Sequence, residues 1–421
     1  MIKLFYSQIG GREMAKVFLD NIVVALDVGT TKICVIVANK KSDGTIDVLG
    51  VGKSPSYGLK KGVVIDIAKT VESLKTAIQE AELVSGRPIE MATIGISGNH
   101  IKAFNSYGAV PIKKKEVQNA DIANVLEAAK AIAIPEGQQV LHVLPQYFTI
   151  DGQEHILYPL GMAGIRLEAQ VHIITGSIAS VQNLISCCQM AGIKVSDVVL
   201  EQLASAQAVL SSDERELGVG VLDVGGGTSD FALYQHGSIR HTMVLPVAGN
   251  QFTNDLAIGL QTTLAEAERV KKEYGMRIQQ QDQLITIQKI HDLETKMVSQ
   301  AQLIHILKPR AQELISIINK EIEKYNLRNL MTTGLVMTGG GSLLHGYIDL
   351  AKEIIQMPVR LGIPKTGQKL PESLDNPVYA TGYGLILHAF NNKRDRSFDF
   401  SKGHSVGKLL YRMKSWIADF F

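Results

Sequence analysis

The chain has 421 residues, 45% of them hydrophobic, with 43 Lys and Arg against 41 Asp and Glu. That is enough for roughly two to three domains, and a net charge of +2 excludes a broadly basic nucleic-acid binder or an acidic tail protein. No apolar run approaches the ~18–20 residues that cross a bilayer, and Cys34, Cys187 and Cys188 form neither a disulfide framework nor a zinc-ligand spacing. A soluble multi-domain protein of a reducing compartment is expected, with Cys34 in the core.

Residues 1–20 lack the apolar stretch and small-residue cleavage site of a signal peptide and read as an extension without clear structure, in which Met14 offers a second start. Ile22 to Leu26 then reads as a buried strand, running into Asp27-Val28-Gly29-Thr30-Thr31-Lys32 and a second apolar run, Ile33 to Ala38. The same order returns near mid-chain. Val219 to Leu222 leads into Asp223-Val224-Gly225-Gly226-Gly227-Thr228-Ser229-Asp230 and then Phe231 to Tyr234. The two aspartates stand 196 positions apart, a spacing that predicts two related domains.

Chemistry can be read from this pair. Glycines let backbone approach a ligand, successive amides in a tight turn form an anion-binding concavity, and threonine hydroxyls add donors. An aspartate at the strand end can hold Mg²⁺ through water beside a phosphate chain; Asp27 and Asp223 are the candidates. Either loop alone is an ordinary hairpin turn. Two such loops, each opened by Asp, predict a grip on the phosphates of a nucleotide between two domains.

Thr263 to Lys272 reads as a helix with a capping box from Thr263 and Glu266, an apolar face of Leu264, Ala267, Val270 and Tyr274, and Glu268 and Lys271 on another face. That pair reads either as a solvated ion pair or as a contact to a ribose and base. Leu335 to Met337 is a strand followed by Thr338-Gly339-Gly340-Gly341-Ser342 and a helical stretch from Leu343 to Gln356. Such a turn can lie along an adenosine; the dinucleotide fingerprint fails at Leu344.

Residues 391–405 are polar and unpatterned and read as a linker, with a coil reach of roughly 20 Å. Val406 to Phe421 follows, with Leu409, Met413, Trp416, Ile417 and Phe420 on one helical face and Lys408, Arg412 and Lys414 off it; Leu410 and Phe421 add apolar surface. A short basic amphipathic helix behind a linker reads as an anchor on an anionic membrane surface, each cation adding ~1 kcal/mol. Residues 391–421 hold seven Lys/Arg and three Asp/Glu, so the body of the chain is slightly acidic.

These elements in this order resemble the actin–Hsp70–sugar kinase superfamily. His142-Val143-Leu144-Pro145-Gln146, Pro159 to Leu167, Val171 to Thr175, Asp213 to Gly218 and Ala248-Gly249-Asn250 resemble, more narrowly, the bacterial cell-division FtsA family, over about residues 21–390 and again in the last fifteen. The resemblance implies an α/β, actin-like fold of two related domains around a nucleotide cleft, with a family-specific inserted subdomain, 1C. It implies subdomain 1A at 21–97 with 175–208 and 366–390, 1C at 98–174, 2A at 209–248 with 311–365, and 2B at 249–310. The linker at 391–405 and a membrane-targeting helix at 406–421 complete it. It implies ATP and Mg²⁺ as ligands, with nucleotide contacts at Gly29, Thr30, Thr31, Lys32, Gly225, Gly226, Gly227, Thr228, Glu268, Lys271, Gly339, Gly340 and Gly341, and Asp27 and Asp223 holding the metal through water. Implied partners are FtsZ, further copies of the chain in a head-to-tail filament, other division proteins through 1C, and anionic lipids, but no nucleic acid.

Two function classes follow. One is a septal scaffold at the inner membrane that uses nucleotide mainly as a conformational ligand. The other is a kinase or true ATPase of the same fold. Phosphoryl transfer needs a group that positions the nucleophile, and the candidate is Glu201 in Leu200-Glu201-Gln202, to which the sequence assigns no catalytic role. Another actin-like scaffold, shape-determining or pilus-assembling, is disfavoured by the terminal helix and by the motifs within 142–175.

Overall fold

The computed structural model describes residues 21–277, 284–290, 294–364 and 374–391. The N-terminal extension and the terminal membrane helix expected at 406–421 lie outside the described residues. Strands β1 (Ile22–Val28) and β2 (Lys32–Lys40) form an antiparallel hairpin, and β3 (Ile46–Pro55) extends it. Helix α1 (Ile67–Ser85) follows, its first turn capped by Asp66 accepting from the Lys69 amide and its end set by Gly86 at φ 62°. Such caps satisfy backbone groups that a helix end leaves open. Strand β4 (Met91–Ile96) then pairs in parallel with β1.

The inserted region comes next: β5 (Lys102–Pro111), α2 (Asn119–Lys130), β6 (Gln138–Ile150), β7 (Gln153–Ile156) and β8 (Arg166–Ser177). Its strands form their own sheet, ordered β5-β8-β6-β7, with α2 against it and a separate small core around Val125, Phe148 and Val171. Helix α3 (Ile178–Met190) and β9 (Lys194–Leu200) return to the first sheet and complete the order β9-β4-β1-β2-β3.

Helix α4 (Glu201–Val209) and the short α5 (Ser212–Leu217) lead to β10 (Val219–Val224), β11 (Ser229–Gln235) and β12 (Ser238–Leu245). Helices α6 (Gly249–Gly259) and α7 (Leu264–Glu273), the hairpin β13 (Leu284–Gln288) and β14 (Thr295–Ser299), and α8 (Gln300–Lys324) follow. Then come β15 (Leu335–Thr338), α9 (Tyr347–Ile355), β16 (Val359–Leu361) and α10 (Ala380–Asn391). The third sheet runs β12-β11-β10-β15-β16.

That order repeats the first sheet. In each, a central strand is flanked on one side by two antiparallel strands and on the other by two parallel ones. Helices α4 and α10 pack on each other between the two sheets, and small residues permit the closeness: a Cβ on Gly384 would fall 1.8 Å from the Ala204 carbonyl. Because β1, β2, β10 and β11 are covered on both faces, they are nearly continuous apolar runs.

Several expectations are corrected. The helix placed over 343–356 is broken: a 3₁₀ turn covers Gly340–Leu343, and α9 starts only at Tyr347, after Gly346 turns the chain at φ 80°. Only half of the Thr263 capping box forms, since Glu266 turns to Arg269 at 2.8 Å and to the Gln288 amide. Leu264, assigned to the core, is 59% exposed, while Ala267 and Val270 are buried. Asn391, read as the first linker residue, is the last residue of α10.

Candidate functional site

The two hairpins meet tip to tip. The turn after β1 closes with the Gly29 amide donating to the Lys32 carbonyl at 3.1 Å, and the turn after β10 closes with Gly225 donating to Thr228 at 2.9 Å. Position by position the turns correspond, but they are filled differently. Thr30 and Thr31 of the first lean into the glycines of the second: a Cβ at 226 would fall 1.7 Å from Thr31 Oγ1, and one at 227 would fall 2.3 Å from Thr30 Oγ1. Thr31 also donates to Asn250 Oδ1 at 3.3 Å, and the Gly249 and Asn250 amides donate to the Gly225 and Gly226 carbonyls at 3.0 and 2.8 Å. The N-terminus of α6 is thus fixed to the second turn.

The third glycine turn packs on the same place. Gly339 adopts φ 80°, and a side chain there would meet Asp223 Oδ1 at 2.2 Å; Gly341 lies against Val224. Only glycine fits such a backbone approach at positive φ. The Glu268 and Lys271 pair on α7 is closed at 2.6 Å, with Thr253 donating to Glu268 at 2.5 Å and Lys271 to the Gly249 carbonyl at 3.1 Å. Burial would raise the Glu268 carboxyl, but the Lys271 ammonium holds it below its ordinary range. The pair is half-buried and lines the cavity.

All three turns, both aspartates and the α7 pair line one cavity of about 740 Å³. The volume is that of a site for a cofactor-sized molecule. Residues that sequence reasoning did not single out complete its wall, Asp230 and Thr381, or hold it from behind, Ser97 and Ser205. Asp230 on β11 accepts from Ser97, just after β4, at 2.5 Å, so a domain-spanning hydrogen bond sits beside the turns. Asp230 occupies the place of Cys34 in the first hairpin, and the duplication itself was the signal that could have found it. Ser205 on α4 and Thr381 on α10 both donate to Asp223 Oδ2, the latter at 2.9 Å. Nothing in the local sequence announces these two hydroxyls, because helices that meet only in the fold bring them in.

Asp27, Glu201, Asp223, Asp230 and Glu268 line the wall together with Lys32, Lys53, Lys271 and Lys272. Asp27 is paired with Lys32 at 2.9 Å, which raises the lysine against the effect of burial. Burial raises Asp223 and Glu201, and neighbouring carboxylates raise Glu201 further. Among the described residues no three His, Cys, Asp or Glu side chains converge as direct metal ligands. A hydrated divalent cation fits that setting: it relieves the carboxylates through its waters without needing a protein cage.

Comparisons with known proteins agree with this architecture. Residues 220–384 match the family described as cell division protein FtsA, and residues 98–175 match the SHS2 domain inserted in FtsA. The cell division protein FtsA of Pseudomonas aeruginosa is 41% identical over 417 residues, covering 97% of this chain and 100% of the relative. That of Escherichia coli K12 is 33% identical over 420 residues, covering 97% and 100%. Among solved structures, the PilM–PilN type IV pilus biogenesis complex aligns with a TM-score of 0.62 at 18% identity, over 87% of this chain and 98% of that one. MreB5 of Spiroplasma citri bound to ADP aligns with a TM-score of 0.55 at 14% identity, over 89% and 98%. The fold is actin-like, with the inserted domain taking the span from β5 to β8.

Proposed function

The chain belongs to the FtsA family of cell division proteins, and from that membership we propose that it is an ATP-binding scaffold. It polymerises on the inner membrane, tethers the FtsZ ring there and recruits later division proteins. The observation that carries the nucleotide part is the cavity in which two duplicated turns face each other. In this reading the turns Gly29–Lys32 and Gly225–Thr228 offer backbone amides and hydroxyls to the phosphates. Gly339, Gly340 and Gly341 lie along the adenosine, and Glu268 and Lys271 face the ribose and base. Mg²⁺, held through water by Asp27 and Asp223, neutralises phosphate charge. A structural neighbour bound to ADP supports the reading.

The nucleotide acts mainly as a conformational ligand that spans both domains. Loss of ATP binding in Gly226→Val, measured by titration with a fluorescent ATP analogue in Mg²⁺, is the expected outcome. Undiminished binding there would remove the second turn from the site.

Attachment rests on residues 406–421, since among the described residues no helix is long and apolar enough to cross a membrane. Leu409, Leu410, Met413, Trp416, Ile417, Phe420 and Phe421 would enter the interface, with Arg412 and Lys414 at anionic headgroups. One such helix binds weakly. A head-to-tail filament of identical subunits multiplies it into firm attachment. Deleting 407–421 is expected to abolish co-sedimentation with anionic vesicles; unchanged sedimentation would sink the anchor. Contacts to other division proteins are assigned to the inserted domain and those to FtsZ to the assembled filament.

A further inference from the structure

The inserted domain is continuous with the first actin-like domain: β4 leads into it, and β8 leads out to α3 and β9. Yet its sheet also lies against β12, the edge strand of the second domain. The contact is made by buried polar groups. Gln146 on β6, 2% exposed, donates through Nε2 to the carbonyls of Ile239 at 2.8 Å and Arg240 at 3.3 Å, both on β12, and to Asn105 Oδ1 on β5 at 3.3 Å. His172 on β8, also 2% exposed, bonds Asn105 Oδ1 through Nδ1 at 2.6 Å and Thr242 Oγ1 on β12 through Nε2 at 2.8 Å.

A carboxamide oxygen only accepts, so Nδ1 carries the proton and Nε2 accepts from the Thr242 hydroxyl. The ring is neutral, in keeping with burial, which with His241 nearby pulls its pKa to about 3. Open edges of sheets need cover, and here side chains of another domain supply it. A buried group that loses such a partner inside a protein is left unsatisfied, so the contact is held or broken as a unit.

We propose that this contact is a strap. The inserted domain, covalently part of the first domain, clamps the second through β12, so the interdomain cavity cannot widen without breaking the bonds of Gln146 and His172. The coupling is reciprocal. A protein that binds the inserted domain more tightly when the contact is broken loosens the cavity, and a ligand that spreads the two turns loosens the inserted domain.

Amide hydrogen exchange on the full chain without nucleotide tests this for wild type, Thr242→Val and Gln146→Glu. Thr242→Val removes one hydroxyl and keeps the shape, so it serves even if Gln146→Glu fails to fold. The strap predicts exchange faster by roughly tenfold in 238–245, and faster too in the distant turns 29–32 and 225–228. Acceleration confined to 238–245, or none anywhere, overturns it. Because no nucleotide is added, that result is separate from failure of the ATP reading, which the titration of Gly226→Val decides.

Discussion

The turns after β1 and β10 share a backbone and divide the side-chain work between them. Each leaves a strand at an aspartate, closes with its first glycine amide on the carbonyl three residues on, and returns antiparallel. The first carries the bulk, in Thr30, Thr31 and Lys32. The second carries the room, in Gly226 and Gly227. Their aspartates differ in the same way: Asp27 is neutralised by a lysine of its own turn, whereas Asp223 is held by hydroxyls from two helices between the sheets. A repeated backbone therefore does not make a symmetric site. The halves are complementary, and each is incomplete without the other.

Four substitutions break or sharpen that contrast. Asp27→Ala leaves the Lys32 ammonium without its partner. Breaking a buried pair costs ~3–5 kcal/mol, and since Lys32 keeps 27% of its side-chain exposure the expected loss is about 2–3 kcal/mol in urea unfolding. A loss below about 0.5 kcal/mol would mark the pair as solvent-screened. Gly226→Ala forces a methyl onto Thr31 and is expected to cost ~1–3 kcal/mol. Adding Thr31→Gly to the same chain should recover most of it, and no recovery would show that the turns do not interlock.

Asp230 stands where the first hairpin has Cys34, and burial pushes its carboxyl up to about 7. A carboxyl raised in the folded state burdens the fold above that pH and relieves it as pH falls toward the unfolded value. Asp230→Asn should therefore stabilise the protein by about 1–2 kcal/mol above pH 7, with the gain gone near pH 4. Melting temperatures across that range check it, and a pH-independent difference would contradict it. Thr381→Val removes one of two hydroxyls on Asp223 and should cost ~0.5–1.5 kcal/mol by the same unfolding assay. An equal effect in a chain already carrying Asp223→Ala would show that the hydroxyl is not serving the carboxylate.

Much of this was legible in the chain because it is local. The hairpins are short apolar runs joined by glycine, and their duplication predicts two related domains. The third glycine turn is readable, but periodicity starts the helix after it too early, because Gly346 at φ 80° is invisible to apolar spacing. Leu264 was misplaced for a related reason: helical spacing names a face but not what covers it, and the residue lies at the open start of α7. Ser97, Ser205, Asp230 and Thr381 are not legible as a group because their role exists only across elements far apart in sequence.

By itself the sequence determined the duplication into two related halves and the residues of the three turns, since these follow from short-range pattern and repeat, whereas the place of the insertion was implied by the family resemblance. Only the tertiary structure decided how they meet. It seats Thr30 and Thr31 in the space that Gly226 and Gly227 leave, brings carboxylates into one wall, and sets Gln146 and His172 against the free edge of β12. The physical reason is reach. Turn chemistry acts over a few residues, whereas steric complementarity, burial of charge and the covering of a sheet edge depend on which distant segments the folded core holds together.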